Sequence, residues 1–587
     1  MEYVVREEEQ SKMQQYKLNV EDGQYTKYCY LDLKTMKESE YQPKINPVFN
    51  KLFNQDIIAA DKTCPTVMKI LHSSVRSMKN IPGVLVLENN KTYGKSKDKF
   101  YYKCIPDDRR LPIFVIPYAN KTFFEKTRHN KYVTFKFHSW DGKHPSGRLT
   151  NNLGDVSILY SFYEYQLYCK SLYASIQKFN KDTKRKLRMF TEEQHIKHMD
   201  TFVDFEDRTI NEIYTIDPTT SKDFDDAFGI VINRGKAVLS IYISNVSFWF
   251  GLLGLWNSFS ERISTIYLPD RKRPMLPTVL SDAICSLTEN DYRFAFTLDL
   301  ILEKEEEDWK IVHHRFLNTK IKVRKNYRYD TNELENEKVL ETYKMVKNLN
   351  KSCKYVDNIN TTHDMIAYLM ILMNYYSARE LKSHNTGIYR SAKLNYSYKP
   401  PESVPDEVGK FLKIWHSFGG KYTKYDNLES HDMLDFDAYV HITSPIRRLP
   451  DLLNILKLQD VLGLVKLEGE ALGFYDKWTS DESVDYINQT MRSIRRVQNE
   501  CSLLSMCQED ENITKKIYRG YIFDKILRND ALYQYMVYLP EIKMTNRITT
   551  RHDMNLNSSY EFKIYVFRDE SRLKHKIRLE ILNAYVE

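Results

Sequence analysis

Residues 216–227, IDPTTSKDFDDA, constrain this chain more than any other stretch. They crowd four carboxylates, Asp217, Asp223, Asp225 and Asp226, between two strand-like runs, IYTI at 213–216 and FGIVI at 228–232. Like charges held that close repel unless something positive sits among them, so the segment is either a solvated loop or a hard-cation site. The β-favouring flanks argue against a free loop, because they fix both of its ends. Pro218 with the short polar Thr219, Thr220 and Ser221 makes a turn that folds Asp223 back beside Asp217. Asp225 and Asp226 reach one centre only from a loop conformation, since a regular strand sends neighbours to opposite faces. Magnesium takes a few carboxylates plus water and phosphate, and such clusters serve metal-assisted phosphoryl transfer. A calcium loop is the rival reading, but the glycine and distal glutamate of an EF-hand are missing.

A second constellation lies far downstream, where YVHITSPIRR at 439–448 precedes the helix-like DLLNIL at 451–456. Arginine is electrostatically misplaced at a helix N-terminus, which carries partial positive charge. A phosphate resolves the conflict, because helix N–H groups and guanidinium both bind it.

The 587 residues leave room for about three or four domains. Short strand-like runs mark a small β domain over 1–78 and a second over 79–175, the latter at 83–87, 100–105, 113–116 and 132–137. That spacing suits an OB-type barrel. In it Lys131, Lys136, Trp140 and Arg148 form either a surface tracking a nucleic-acid backbone or a merely solvated edge. A basic, helical connector follows at 176–200, then a mixed α/β domain at 201–511 whose apolar run at 364–381 predicts a buried helix. Residues 512–587 return to β runs and predict another small barrel.

The net charge of +8 permits nucleic-acid binding without requiring it. Most of the 43 tyrosines and 28 phenylalanines are expected to fill β cores. Eight cysteines without CxxC spacing read as reduced thiols, not as a disulfide frame or zinc site. No run is long and apolar enough to span a membrane, and the N-terminus is charged where a secretory signal needs an apolar core. The expectation is an intracellular protein, cytoplasmic or nuclear, with no membrane partner.

The ID…DxDD pattern followed by YxHxTSPIRR resembles the two signatures of the RNB, or ribonuclease II, superfamily of processive 3′ to 5′ exoribonucleases. YLP at 267–269, PMLP at 274–277, Leu280-Ser281, Cys285-Ser286-Leu287, Asp291 and Arg293 add to the resemblance. KCIP at 103–106, the stretch 140–147 and LGD at 153–155 resemble the second cold-shock-type domain of the eukaryotic exosome-nuclease branch. The resemblance implies a multidomain α+β chain: two N-terminal cold-shock-type OB β-barrels, a central mixed α/β RNB catalytic domain and a C-terminal OB β-barrel, without the branch's extra endonuclease domain.

By the same resemblance Asp217 and Asp226 would ligate Mg2+, with Mn2+ as a substitute. Asp223 and Asp225 would complete the cluster, Asp225 also orienting or deprotonating the attacking water. Arg447 would hold the scissile phosphate and Tyr267 would stack near the 3′-terminal base, with Arg448, Tyr439 and Ser444 completing the RNA-contacting set. The implied partner is single-stranded RNA, bound by a monomer with little regard to sequence, and the product a nucleoside 5′-monophosphate; an exosome-like or other partner complex stays open.

Three departures keep an alternative in play, an RNA-binding scaffold with weak or lost catalysis. Tyr242-Ile243-Ser244-Asn245 stands where the family reads HIAD, Ala367 and Tyr368 replace a glutamate pair although Asn374 is kept, and Leu449-Pro450 replaces Tyr-Ala. Glu500 matches a catalytic-channel glutamate only loosely.

Overall fold

Alternating inward and outward positions shape the first strand, β1 (Met13–Val20), whose Tyr16, Leu18 and Val20 are buried. The computed structural model describes residues 13–61, 68–96, 99–119, 128–189, 194, 205–329, 331–352, 355–417, 419–528 and 530–584. β1 pairs with β2 (Tyr28–Asp32) and β3 (Ile57–Asp61), and β4 (Met68–His72) extends β3, giving an antiparallel sheet in the order β2-β1-β3-β4.

The next unit closes on itself. Its strands are β5 (Ile81–Leu85), β6 (Lys95–Ser96), β7 (Lys99–Pro106), β8 (Phe114–Tyr118), β9 (Lys131–Ser139) and β10 (Ser146–Asp155). They run β5-β9-β10-β8-β7, β7 pairs back onto β5, and the β8–β10 step is parallel, which is the five-stranded Greek-key barrel of an OB fold. The expected division at residues 78 and 79 falls between two sheets that share one hydrophobic core. Phe53, between β2 and β3, packs on Phe114 and Phe137 of the second sheet and on Trp140 just after β9, with ring centroids 5.9, 5.4 and 4.9 Å apart. Trp140 is therefore buried, not part of an RNA-tracking surface, and Lys131 is ion-paired with Asp155 at 2.6 Å; Lys136 and Arg148 stay exposed.

The basic connector begins as the helix Gln177–Leu187, anchored by Phe179 against Phe250 and Phe259; its residues 190–193 and 195–200 lie outside the described residues. The central sheet holds β11 (Glu206–Arg208), β12 (Ile213–Asp217), β13 (Asp226–Asn233) and β14 (Lys236–Ser244). A two-stranded ribbon, β15 (Ile266–Tyr267) and β16 (Lys272–Arg273), precedes β17 (Tyr292–Glu305), β18 (Asp308–Lys322) and β19 (Lys325–Arg328). The seven-stranded order is β11-β18-β17-β14-β13-β12-β19. Helices Glu337–Ser352, Thr362–Ser383 and Leu449–Val461 pack on this sheet in one core. Thr362–Ser383 covers the predicted buried helix, and it starts at a capping box between Thr361 and Asp364. Edge strand β11 is fastened by a buried two-pronged ion pair, Arg208 to Asp299 at 2.6 and 2.7 Å, with Ser240 and Arg315 also donating to that carboxylate.

A second ribbon, β20 (Ile388–Ser391) with β21 (Lys421–Lys424), and the long helix Asp481–Glu509 lead to the last unit. There β22 (Ile517–Leu527), β23 (Tyr533–Leu539), β24 (Met544–Thr550), β25 (Ser559–Arg568) and β26 (His575–Ala584) run β24-β23-β22-β25-β26, and the two end strands come back into contact, a second OB-type barrel. It is held from two sides: Lys574 pairs with Asp107 of the second barrel at 2.7 Å, and Phe411 of the helix Asp406–Trp415 stacks on Tyr538 at 3.7 Å. Among the described residues no helix is long and apolar enough to cross a membrane.

Candidate active site

The acidic segment forms the connection between β12 and β13. Asp217 ends β12, Asp226 begins β13, and Asp223 and Asp225 lie in the loop between them. Antiparallel pairing of Tyr214 with Phe228 puts both strand ends at the same edge of the sheet. The loop is fixed by partners outside it. Arg328 donates to the carbonyls of Pro218 and Ser221 at 3.2 and 3.3 Å, and its guanidinium lies 5.1 Å from the centre of the Phe224 ring. The Phe224 N–H donates to Ser286 Oγ at 2.9 Å, the Tyr329 N–H to the Asp217 carbonyl at 3.1 Å, and the Ser244 N–H to the Asp225 carbonyl at 2.8 Å.

The TSPIRR segment reaches this loop from the far side of the sequence. Ile446 N–H donates to Asp225 Oδ1 at 2.9 Å and Arg447 Nε to Asp225 Oδ2 at 3.0 Å. Arg447 donates also to Ser444 Oγ at 2.9 Å, and its own carbonyl accepts from Ser264 Oγ at 2.9 Å and from the Thr265 N–H at 3.0 Å. Backbone and side chain of Arg447 are thus both held, as a pre-positioned cation needs.

Burial pushes the carboxyls of Asp217, Asp225 and Asp226 each up to about 7. Mutual repulsion adds to this: Asp225 acts on Asp217, Asp217 on Asp226, and Asp223 and Asp226 on Asp225, while Arg447 opposes the rise in all three. For Arg447 burial works against the charge, but Asp225, Tyr267 and Asp226 outweigh it and hold the guanidinium above its ordinary value.

Tyr267 is 41 % exposed, with its hydroxyl 3.5 Å from Asp223 Oδ2, so the residue is partly open to solvent beside the acidic loop. The other three residues expected to touch RNA are turned elsewhere. Tyr439 is buried, stacked on Phe436 and hydrogen-bonded through its hydroxyl to Asn374 at 2.9 Å. Ser444 is buried and buttresses Arg447. Arg448 is paired with Asp451 at 2.8 Å, and Asp451 accepts the Ser444 N–H at 2.8 Å as well. The conflict expected at this helix N-terminus is therefore met within the chain by a first-turn aspartate. Ser444 and, through Asp451, Arg448 build the support of Arg447 while Tyr439 packs in the aromatic core, and a motif cannot tell support from contact.

The same distinction explains the departures. Asn245 donates to Asn318 and Gln459 at 3.1 Å each, a buried amide network joining the end of β14 to the helix Leu449–Val461. Tyr242 accepts from Arg208 at 3.4 Å, Tyr368 stacks against Tyr355 in the core, and Pro450 stands in the first helical turn, where its missing N–H costs no bond. Asn374 also accepts the Ile442 N–H at 2.9 Å. Glu500 is exposed on the helix Asp481–Glu509.

Among the described residues no group of three or more His, Cys, Asp or Glu side chains is arranged to hold a metal ion. Two of the four aspartates explain this, since Asp225 is bound to Arg447 and Asp223 to Lys272 at 2.9 Å. Among the described residues Asp217 and Asp226 make no ion pair, and their raised pKa values mark a negative charge that a divalent cation would relieve. As hard oxygen donors these two fit magnesium or manganese. Lys272, Arg328 and Asp282 were not singled out from sequence; the only signal was the basic DRKRP run after Tyr267, whose carboxylate partner lies 49 residues away.

An RNB domain family model matches residues 203–354, which contain the acidic loop and stop short of Arg447. Ribonuclease R of Ureaplasma parvum is 33% identical over 150 residues, 25% of this chain and 19% of that protein. Ribonuclease R of Helicobacter pylori is 29% identical over 332 residues, 44% and 50%, and that of Buchnera aphidicola 24% identical over 453 residues, 61% and 59%. The matches thus span from about a fifth to about three fifths of these curated relatives. Among solved structures, Mycoplasma genitalium RNase R in complex with double-stranded RNA superposes with a TM-score of 0.64 at 17% identity, covering 89% of this chain and 98% of that one. Yeast Ssd1, described as a pseudonuclease, gives 0.57 at 13% identity, covering 94% and 81%. Both likenesses show the fold.

Proposed function

We propose that this chain, which carries an RNB domain and the fold of RNase R, is a hydrolytic exoribonuclease that shortens single-stranded RNA from its 3′ end. The observation that carries the reading is the Asp225–Arg447 contact, which brings a fixed guanidinium against a cluster of carboxylates poised near neutrality. A phosphodiester lying between Tyr267 and Arg447 meets positive charge where negative charge grows during displacement. Asp225, at about 7, is matched to take a proton from the attacking water at neutral pH. Water adds to phosphorus and the bond to the preceding 3′-oxygen breaks, leaving a 3′-hydroxyl on the shortened chain and a nucleoside 5′-monophosphate. Asp217 and Asp226 would hold a divalent cation, Mg2+ or Mn2+, which when bound supplies Lewis-acid polarisation of the phosphate and a more acidic water. The partly exposed Tyr267 would offer stacking to any terminal base, so cleavage is sequence-tolerant in this reading.

The test is 5′-labelled single-stranded RNA incubated with the chain and Mg2+. Stepwise shortening with release of 5′-monophosphates is expected, and intact RNA rejects the proposal. One observation favours a second reading, an RNA-binding platform with lost catalysis: a lysine occupies one of the four aspartates. Gel-shift binding of the same RNA without shortening would support it.

A further inference from the structure

β15 and β16 set Tyr267 and Lys272 opposite each other in register, and both side chains turn to one carboxylate. Lys272 Nζ stands 2.9 Å from Asp223 Oδ1, and the Tyr267 hydroxyl 3.5 Å from Asp223 Oδ2. The same ammonium lies 2.9 Å from Asp282 Oδ1, on the turn Leu280–Ile284. The Asp223 side chain is 9% exposed and that of Lys272 20%, so neither relies on water for its charge. An ion pair withdrawn from water is costly to break, because each partner left alone keeps its desolvation penalty. Asp223 could join a metal only by leaving Lys272, whereas Asp217 and Asp226 are held by no ion pair among the described residues.

We propose that Lys272 is a tethered cation that keeps Asp223 out of the metal-ligand set and positions it under Tyr267, leaving Asp217 and Asp226 as the carboxylates that take a divalent ion. The inference rests on the metal-binding part of the function proposed above. In this arrangement two positive charges at the acidic loop, Lys272 on Asp223 and Arg447 on Asp225, are permanent and supplied by the chain, and only the remainder depends on an ion from solution. The Asp282 contact keeps the lysine from swinging away, since its ammonium is shared between two carboxylates from different segments.

The experiment is a Mn2+ titration followed by electron paramagnetic resonance on the full chain, with no RNA present. Lys272→Met, which keeps the stem and deletes the charge, should bind Mn2+ at least about tenfold more tightly than wild type. The gain should vanish in Lys272→Met/Asp223→Asn, and Lys272→Arg should retain wild-type affinity. In the wild-type background Asp223→Asn should leave Mn2+ affinity within about twofold, while Asp217→Asn and Asp226→Asn weaken it at least about tenfold. This second series stands even if Lys272→Met fails to fold. Weakening by Asp223→Asn equal to that by Asp226→Asn, or unchanged affinity in a folded Lys272→Met, overturns the inference. Absence of Mn2+ binding in all variants overturns it together with the metal part of the function, whereas RNA shortening that fails while Mn2+ binds as described overturns only the nuclease reading.

Discussion

Arg447 Nε stands 3.0 Å from Asp225 Oδ2, joining two loops 222 residues apart in the sequence. Arg447 reaches Asp225 and Ser444 at once, through Nε and a terminal nitrogen. Lysine keeps the charge but has one nitrogen and no planar fork. Arg447→Lys is expected to lower the single-turnover cleavage rate by about 10²–10³-fold, with RNA affinity changed only a few-fold. Quench-flow on labelled RNA measures it, and a rate within a few-fold of wild type would show that the guanidinium does not stabilise the transition state.

Asp225→Asn keeps the acceptor for Ile446 and deletes the base. Cleavage should disappear while gel-shift affinity for RNA is kept. Equal rates for wild type and variant would remove Asp225 from the chemistry.

Tyr267→Ala tests the open ring beside the acidic loop. Aromatic stacking on an unpaired base is worth about 1–3 kcal/mol, so KM for short single-stranded RNA should rise by about 5- to 150-fold. Homopolymers of different base should be affected alike; an unchanged KM would place the terminal base elsewhere.

The three raised carboxyls of the acidic segment predict a pH dependence of stability. Their folded pKa values are about 7 against roughly 4 for an ordinary carboxylate, so the folded chain binds more protons than the unfolded one between those limits. Stability contributed by these groups is present below pH 4 and lost as pH rises through 7. His431 and His441, which burial holds below their ordinary value, act with the opposite sign, since their cost is relieved as pH rises to about 6.5. The readout is therefore the difference in Tm between Asp226→Asn and wild type in chelator. It should grow in favour of the variant from about pH 5 to about pH 7.5 and shrink when Mg2+ is added. A difference independent of pH would count against the raised pKa values.

Arg208→Ala leaves Asp299 buried without its two-pronged partner, a loss of about 3–5 kcal/mol. Thermal unfolding should shift clearly downward, and the paired change Arg208→Met/Asp299→Leu should recover most of it. A single variant as stable as wild type would mean that β11 is not held by this pair.

Features whose physics is local were legible in the sequence. The acidic turn had to sit at the end of paired strands because its flanks are β-favouring and its own residues repel, and 364–381 had to be a buried helix because its apolar residues run all round. Side chains whose fate depends on a distant surface were not legible. Trp140 reads equally as part of a nucleic-acid surface or of a solvated edge until Phe53, from the segment between β2 and β3, covers it. Tyr439 and Ser444 lie in the most recognisable motif of the chain, yet a motif does not say which of its residues turn inward. Lys272 gave no signal beyond the basic run it sits in, because its carboxylate partners come from two other segments that only the folded chain brings to it.

The Phe53 packing also governs how this chain can be cut. Removing residues 13–72 would strip the cover from Phe114, Phe137 and Trp140 and leave the following barrel with a greasy, water-facing wall. The front of the chain therefore behaves as one indivisible block, and a cut between its two sheets exposes apolar surface on both sides.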